Sequence, residues 1–565
     1  MSSFIDDDDH RLEALGYKPS FRREFSNLAT ISFAFSIMGV CSSIATTFNT
    51  PLLLGGPASV TWCWLVGSCM CFTLGSSIAE IVSAFPTCGG LYTASAQLCP
   101  KSHRAVVGWI VGWLNILGQV AGVSSTEFGL ANMIWAAVSI TSPTFQLTQG
   151  KTVGLFAGLL IVHGLLNSLA TRHLAFATRG FVFVNLGATI VIIIVLLATT
   201  PRSEMHAANY VFGGQGIINQ TGGWNTGIAF LLGLLSVQWT MTDYDATAHI
   251  SYVFFLSVCP VNTSWITAKK FVVLLMQVCC IIAEHVICNS HILCSSTHCD
   301  IYCCHWDRNI GVAVECRPHT MFGTDRESPW NIRICILADY GSPHGHTSSS
   351  FHLGSYFYLT ALQACSRTVY AFSRDHGLPD NGYFGHIAGS TRTPLRAIWF
   401  TTVLSILPGL LDLASPIAAN AIFTLTAIAL DLSYIIPIFL RRLYANHPEV
   451  NFRPGPFYMG PGLLGWAANV ACISWTLFVC VIFSLPTVFP VTKDNMNYAA
   501  VITISVVVLS GIWYVTSAHR HYHGPTSNLD AETKARLESE KEGQPGVSSI
   551  IESEKDKVRT SLDSV

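Results

Sequence analysis

The sequence predicts an all-α, polytopic membrane protein of about twelve transmembrane helices, with a 5+5 inverted repeat. Composition is the first reason, because the 565 residues are 50% hydrophobic and 11% charged, whereas soluble domains carry roughly 25% charged residues. The second is that apolar runs near the ~20 residues that cross a bilayer recur along the chain. The third is that small and polar residues interrupt the first and sixth runs, as in transporters whose solute site lies between two repeats.

Apolar runs of spanning length define the predicted spans, which we number in chain order. The only candidate for span 7 is Phe271–Cys288, and Leu359–Phe372 predicts a span 8 with a truncated start. The predicted transporter domain therefore covers 28–517. Spans 1 to 6 are Leu28–Thr50, Val60–Ala84, Val106–Val138, Val153–Ala170, Gly180–Thr199 and Ile228–Ile250, and spans 9 to 12 are Leu395–Leu413, Ile417–Leu440, Leu463–Phe489 and Tyr498–Ser517.

Basic residues precede span 1 and follow the even-numbered spans, which predicts that these segments lie in the cytosol. Both termini are therefore predicted to be cytosolic. The acidic tail 1–27 is not a cleavable signal peptide, and the polar tail 518–565 is predicted to be disordered. Asn219-Gln220-Thr221 is a glycosylation acceptor pattern, which agrees with an outside position of the loop after span 5 but is common by chance. The expected location is the plasma membrane, as a multi-pass protein. The basic residues are Arg22, Arg23, Lys101, Arg104, Arg172, Arg179, Arg367, Arg374, Arg392, Arg396, Arg441, Arg442 and Arg453.

Composition and motifs disfavour several classes of function. The net charge of −2 leaves no basic footprint for nucleic acid. No P-loop, metalloprotease helix or nucleophile elbow occurs in the apolar framework, so we predict neither an enzyme nor an ATP-driven pump, and no cofactor. Many of the 19 cysteines lie inside apolar runs, as Cys63 and Cys472 do, and are interpreted as small packing residues.

Span 6 carries two aspartates where the membrane crossing should continue. Asp243 and Asp245 would face nearly opposite directions on a continuous helix, so one carboxylate would meet lipid at considerable cost. A helix that opens near Thr240–Tyr244 avoids this cost by turning these groups toward a protein-lined cavity. The alternative is that the span ends at Trp239 and the aspartates belong to an ordinary loop.

Span 1 repeats the interruption. Gly55-Gly56-Pro57 is predicted to end this span. Interrupted helices at corresponding positions of two repeats indicate a solute site in mid-membrane, whereas the alternative for Ser42 and Ser43 is tight helix packing. The small and hydroxyl residues that break the apolar run are Gly39, Cys41, Ser42 and Ser43.

Five stretches of the chain resemble the amino acid permeases of the amino acid-polyamine-organocation (APC) superfamily. The likeness covers roughly 12–251 and 359–517, and it is strongest to the fungal branch that includes GABA and choline permeases. The stretches that carry it are Phe35–Pro57, Ala79–Leu98, Gly112–Ala131, Gln238–Ser251 and Gln363–Asn381.

The resemblance implies how the two interruptions would bind a solute. In span 1, free backbone amides would bind the solute carboxylate, since the N-terminus of a half-helix favours an anion. These amides belong to Gly39, Val40, Cys41, Ser42 and Ser43.

In span 6, the opposing wall would contact the amino or quaternary ammonium end of the solute. The aromatic rings can hold a cation against their faces, and Asp243 is the preferred partner of a positive solute group or of a coupling proton. Glu127 in span 3 is the second acid assigned to ion coupling. Either acid can instead be a structural carboxylate, a reading favoured for Glu127. The wall comprises Trp239, Thr240, Thr242, Asp243 and Tyr244.

The segment 252–354 differs abruptly in composition, because it holds more than half of the 19 cysteines and 8 of the 20 histidines. A zinc module is one interpretation, but its spacing matches no paired CxxC arrangement, so no metal site is predicted. An extracellular disulfide-bonded insertion is disfavoured because the segment starts on the cytosolic side. We favour a gene-model artefact from a retained intron or a shifted reading frame. The zinc-ligand types are Cys294, Cys299, Cys303, Cys304 and His305.

The favoured function is secondary active import of an amino acid or related amino compound, such as GABA or choline, coupled to protons. One alternative is a nutrient receptor that binds the same solute without transporting it. Another is an inactive, mis-spliced permease. The predicted partners are a small amino-bearing solute, protons and the lipid bilayer, without nucleic acid.

Overall fold

Helices make up almost all of the chain that the structure describes, which confirms the all-α polytopic fold apart from one pair of strands. In the computed structural model, this part comprises residues 32–33, 36–37, 39–142, 144–199, 208–213, 216–243, 245–249, 310–317, 331–338, 345–414, 416–450, 452–455, 457–492 and 495–525. The predicted span 7, the tail 1–27 and most of the tail 518–565 lie outside these residues.

Eight of the described helices are long and apolar enough to cross a membrane. They correspond to spans 2 to 5 and 9 to 12, and most ends lie within a few residues of the predicted ones. Span 11 ends early, at Phe483 instead of Phe489, because Pro486 disfavours a helical conformation just before it. The helices are Val40–Thr47, Asn49–Ala84, Gly90–Gln97, Arg104–Thr141, Gln149–Asn167, Thr171–Thr178, Phe181–Thr199, Ala208–Phe212, Thr226–Leu232, Leu234–Met241, Ala246–His249, Gly345–Arg374, Leu395–Gly409, Leu411–Ala414, Pro416–Leu443, Leu463–Phe483 and Ala499–Thr516, and the 3-10 turn is Ala518–Arg520.

Span 1 ends at a glycine turn, as predicted. Gly56 has φ 72° and ψ −169° inside the segment Asn49–Ala84, so two helices meet there. Only glycine adopts this conformation readily, and Pro57 then starts span 2.

Span 3 packs closely against spans 8 and 10. A Cβ atom at Gly112 would lie 2.3 Å from Phe372 Cε2, and one at Gly118 would lie 2.6 Å from Leu430 Cγ. Glycines at such crossings let helices approach each other in a membrane. Span 3 therefore brings its polar residues, Asn115 and Gln119, into the buried interior.

The helix that contains the predicted span 8 begins earlier than the predicted Leu359, although it is not among the described helices that are apolar enough to cross a membrane. The helix Gly345–Arg374 has 30 residues, which correspond to roughly 45 Å at 1.5 Å per residue. The prediction failed because hydropathy does not register the polar start of this helix, whereas backbone hydrogen bonding does not depend on apolar side chains.

The atypical segment contains the two described strands. Ile310–Arg317 and Asn331–Ala338 pair antiparallel, with Ile310 opposite Ala338. The cysteines and the histidine considered for zinc lie outside the described residues. Within the described ranges, no group of three or more His, Cys, Asp or Glu side chains is placed to hold a metal ion.

Large apolar side chains are exposed on several spans. Leu165 is 55% exposed, Ile194 is 59%, Leu463 is 86% and Val515 is 72%. Exposed apolar surface of this extent marks contact with lipid or with a partner. Because these side chains lie on helices long and apolar enough to span a membrane, their contact is with lipid. The chain is a multi-pass membrane protein.

The loop between spans 5 and 6 provides a test of orientation. Asn219 is exposed, so we expect a glycosidase that removes N-linked glycans to lower the mass of protein expressed in a yeast. Asn219→Gln is expected to abolish the shift. Asn262→Gln is the matched control, because Asn262-Thr263-Ser264 has the same pattern in a segment predicted to follow span 6 in the cytosol. A wild-type protein whose mass does not change would contradict the outside placement of this loop.

Candidate solute-binding site

Span 1 is interrupted at one residue. Gly39 has φ 44° and ψ 58°, and the helix Val40–Thr47 begins immediately after it. The Gly39 amide donates to Ser36 O at 3.1 Å and the Ser43 amide donates to Gly39 O at 2.7 Å. The first N–H groups of a helix lack an acceptor within it. Among the described residues, the amides without an acceptor here are those of Val40, Cys41 and Ser42. Of Val40 and Cys41 only the backbone is described.

Span 6 opens within the predicted stretch Thr240–Tyr244. Its helix continues through Trp239 and Thr240 to Met241, and Thr242 is extended, with φ −71° and ψ −170°. Asp243 has a left-handed φ of 64°, after which the chain resumes as the helix Ala246–His249. Tyr244 lies outside the described residues.

The two interrupted spans are in direct contact. Thr47 Oγ1 and Ser236 Oγ lie 2.7 Å apart and are buried. A hydrogen bond between these hydroxyls joins the helix after the break in span 1 to the helix before the break in span 6, so the two openings belong to one interior region.

The opening gives the two aspartates different surroundings. Asp243 is partly exposed, whereas Asp245 is fully buried. Gln119 Nε2 bridges them, at 3.0 Å from Asp243 Oδ1 and 3.3 Å from Asp245 Oδ1. Both carboxylates therefore face span 3 instead of opposite directions, which is what an unwound segment permits and a continuous helix does not.

Asp245 is a buried carboxylate with several hydrogen-bond donors. Asn115 Nδ2 lies 2.6 Å from Oδ2, Tyr434 OH lies 2.8 Å from Oδ1, and His249 Nε2 lies 2.9 Å from Oδ2. Asp243 is the only partly exposed one of the two aspartates. The sequence could not separate these roles, since the donors come from distant parts of the chain.

The wall of span 6 combines a buried aromatic ring with two hydroxyls. Trp239 Nε1 donates to Ser125 Oγ at 3.0 Å, and the indole lies 5.0 Å from the Phe423 ring. The hydroxyls of Thr240 and Thr242 are buried without a hydrogen-bond partner among the described residues. A buried hydroxyl that lacks a partner carries a cost that a bound polar solute would remove.

Glu127 contacts span 4. Its Oε1 lies 2.6 Å from His163 Nδ1, and both side chains are fully buried. Its Oε2 has no partner in the part of the chain that the structure describes. His163 was not predicted from the sequence as a site residue. The one feature that could have indicated it is that it is an ionisable residue inside an apolar run.

Glu80 holds the end of span 2. It forms a buried ion pair with Arg441 at the end of span 10 and accepts a hydrogen bond from the Met459 amide at 3.3 Å. Glu80 is therefore a structural residue that ties span 2 to the segment after span 10.

Comparisons with known proteins identify the family. A sequence profile of the amino acid permease family matches residues 25–282 and 354–507. The match includes the first part of the atypical segment and leaves 283–353 unmatched.

Three relatives match over nearly the whole chain. An amino-acid permease of Schizosaccharomyces pombe is 39% identical over 548 residues, 94% of this chain and 92% of that one. Amino-acid permease 2 of Neurospora crassa is 32% identical over 538 residues, 94% and 92% of the two chains. The GABA-specific permease of Saccharomyces cerevisiae is 30% identical over 543 residues, 92% and 86% of the two chains. This chain belongs to the amino acid permease family of the APC superfamily and is an amino acid transporter.

Proposed function

We propose that this protein imports a small amino-bearing solute, such as an amino acid, GABA or choline, in symport with protons across the plasma membrane, with both termini in the cytosol. The observation that supports this most is that two interrupted helices lie together, one with backbone amides that attract an anion and the other with a carboxylate that attracts a cation. Free amides at the start of one helix attract an anion, and the Asp243 carboxylate on the other attracts a cation.

A solute with both charges uses both helices. Its carboxylate binds the amides of Val40, Cys41 and Ser42, while its ammonium group lies against Asp243 and the face of Trp239. Choline has no carboxylate and uses only the span 6 half. GABA and other amino acids are therefore the stronger candidates, and the GABA-specific relative supports the same order.

Protons are the proposed coupling ion, with Asp243 and Glu127 as the acids assigned to them. A carboxylate at membrane depth is costly and usually functional. Because a proton gradient drives the symport, uptake is expected to rise as the external pH falls.

The test is uptake of radiolabelled GABA, choline and a panel of amino acids into transporter-deficient yeast at two external pH values. Uptake above the empty-vector level, stronger at the lower pH, supports the proposal. Specific binding to purified protein without uptake would instead support a receptor. If no member of the panel is bound or taken up, the proposed substrate class is contradicted.

The unpartnered hydroxyl of Thr242 provides a sharper test of the site. Thr242→Val keeps the shape of the side chain and removes a group that has no described partner, so stability is expected to change little. If the hydroxyl binds the solute, KM rises roughly five- to tenfold, which corresponds to about 1–1.5 kcal/mol for one hydrogen bond.

The matched control for this change is Thr476→Val in span 11. Its hydroxyl is likewise buried without a partner among the described residues, but it lies outside both interrupted helices. KM of the control should equal that of the wild type. An unchanged KM in Thr242→Val would remove this hydroxyl from the site.

A further inference from the structure

A buried histidine next to the solute site has no part in the function proposed above. His249 is fully buried at the end of the helix Ala246–His249. Its Nε2 lies 2.9 Å from Asp245 Oδ2 and its Nδ1 lies 3.1 Å from Cys88 O. The ring also lies against Gly90, where a Cβ atom would be 2.7 Å from His249 Cε1. Packing therefore fixes the ring between its two partners.

The two contacts determine how many protons the pair holds. Cys88 O can only accept, so Nδ1 must carry a proton. The contact between Nε2 and Asp245 Oδ2 needs a second proton, on either the ring or the carboxyl group. The pair in this geometry therefore holds one exchangeable proton between His249 and Asp245 and is neutral overall. Without that proton, two acceptors would face each other at 2.9 Å.

Other donors locate this proton on the ring. Asn115, Tyr434 and Gln119 all donate to Asp245. Hydrogen bonds of this kind stabilise the ionised carboxylate, which leaves the imidazolium as the form that carries the exchangeable proton.

The pair connects the solute site to the predicted cytosolic ends of spans 2 and 8. On one side, Gln119 bridges Asp245 to the partly exposed Asp243. On the other, Cys88 belongs to the segment after span 2, and its Sγ lies 3.6 Å from Arg374 Nη1 at the end of span 8. A change at Asp243 therefore has a direct route to Asp245 through Gln119.

Further titratable groups surround the pair. Asp243 acts electrostatically on His249 from the same opened segment, and Tyr434 of span 10 donates to Asp245. Span 8 contributes Cys365, which interacts with both aspartates. Near Cys88, Arg374 forms an ion pair with Asp375, which also accepts from Tyr92. The neighbours thus include both signs of charge.

We propose that the Asp245–His249 pair is a binding site for the cotransported proton. The proton binds the imidazole of His249 while the solute occupies the site at Asp243, and both leave on the cytosolic side. This inference rests on the proposed proton symport and adds a proton site that neither the sequence reading nor the family comparison assigned.

The experiment uses purified wild-type protein in liposomes, with radiolabelled GABA and an interior one pH unit more alkaline than the exterior. With one proton per solute, the wild type is expected to accumulate GABA about tenfold. The His249→Gln variant is expected to retain exchange of GABA by counterflow, yet to show no accumulation in the gradient. The control His103→Gln, on an exposed histidine before span 3, should accumulate GABA as wild type does.

The wild type separates this inference from the proposed function. Absence of both counterflow and accumulation in the wild type would refute GABA transport, and counterflow without accumulation would refute proton coupling. If the wild type accumulates GABA and His249→Gln does so equally, the proton site is wrong.

Two further measurements decide the case if His249→Gln does not fold. The double variant Asp245→Asn with His249→Gln keeps a neutral hydrogen-bonding pair without the exchangeable proton, and gradient-driven accumulation by it would overturn the proposal. In wild-type protein with isotope-labelled histidine, infrared difference spectra on adding GABA should contain a change in histidine protonation. Its absence would also overturn the proposal.

Discussion

Replacing Asp243 by Asn is expected to lower kcat/KM for uptake on the order of a hundredfold, because removing one partner of a desolvated charge pair costs roughly 2–5 kcal/mol. The fold should tolerate the change. The Asn side-chain oxygen can still accept from Gln119 Nε2, which lies 3.0 Å from Asp243 Oδ1, and Asn adopts the left-handed φ of this position readily. The effect would therefore report on the solute or the coupling proton instead of on folding.

The measurement is uptake normalised to surface protein in transporter-deficient yeast. Glu449→Gln is the matched control, since Glu449 is an exposed carboxylate outside both interrupted helices. Counterflow separates solute binding at Asp243 from proton binding at the Asp245–His249 pair. Asp243→Asn is expected to abolish exchange because the solute loses its partner, whereas His249→Gln is expected to retain exchange. Uptake by Asp243→Asn equal to wild type would remove Asp243 from the mechanism.

Replacing Arg441 by Met is expected to have the largest effect on stability. Glu80 and Arg441 form a buried ion pair, and removing one partner leaves a buried, uncompensated charge, which costs roughly 3–5 kcal/mol. The guanidinium also lies 4.5 Å from the centre of the Phe452 ring, a contact that the variant loses. We expect little protein at the cell surface and a lower Tm in detergent.

A second variant separates the charge from the packing. Glu80→Gln combined with Arg441→Met removes both charges and should recover part of the lost stability, because no buried charge remains without a partner. Arg453→Met, on an exposed arginine after span 10, should leave Tm unchanged. If Arg441→Met alone were as stable as wild type, the pair would not hold spans 2 and 10 together.

Much of the fold could be predicted from local pattern. The ends of span 10, predicted at Ile417 and Leu440, lie at Pro416 and Leu443, because a bilayer-spanning run is a property of consecutive residues. The break at Gly39 could be predicted for the same reason, since a glycine among small residues is a local signal. Span 8 could not, because its first third is helical without being apolar.

The roles of the carboxylates required more than pattern. Asp243 and Asp245 are two residues apart and indistinguishable in sequence. What separates them is that Asn115 and Tyr434, 130 and 189 positions away, both donate to Asp245. The pairing of Glu127 with His163 is equally nonlocal, as it joins neighbouring spans.

The sequence by itself determined that this chain is a multi-pass membrane protein, that it resembles a permease family and that two of its helices are interrupted. Hydropathy, the backbone freedom of glycine and the cost of a carboxylate in lipid each depend on consecutive residues only. They can therefore be recognised from one stretch of sequence. Only the tertiary structure decided which acid is partly exposed and which is enclosed by donors. Packing brings partners from distant spans to the same point, and a carboxylate's function depends on those partners.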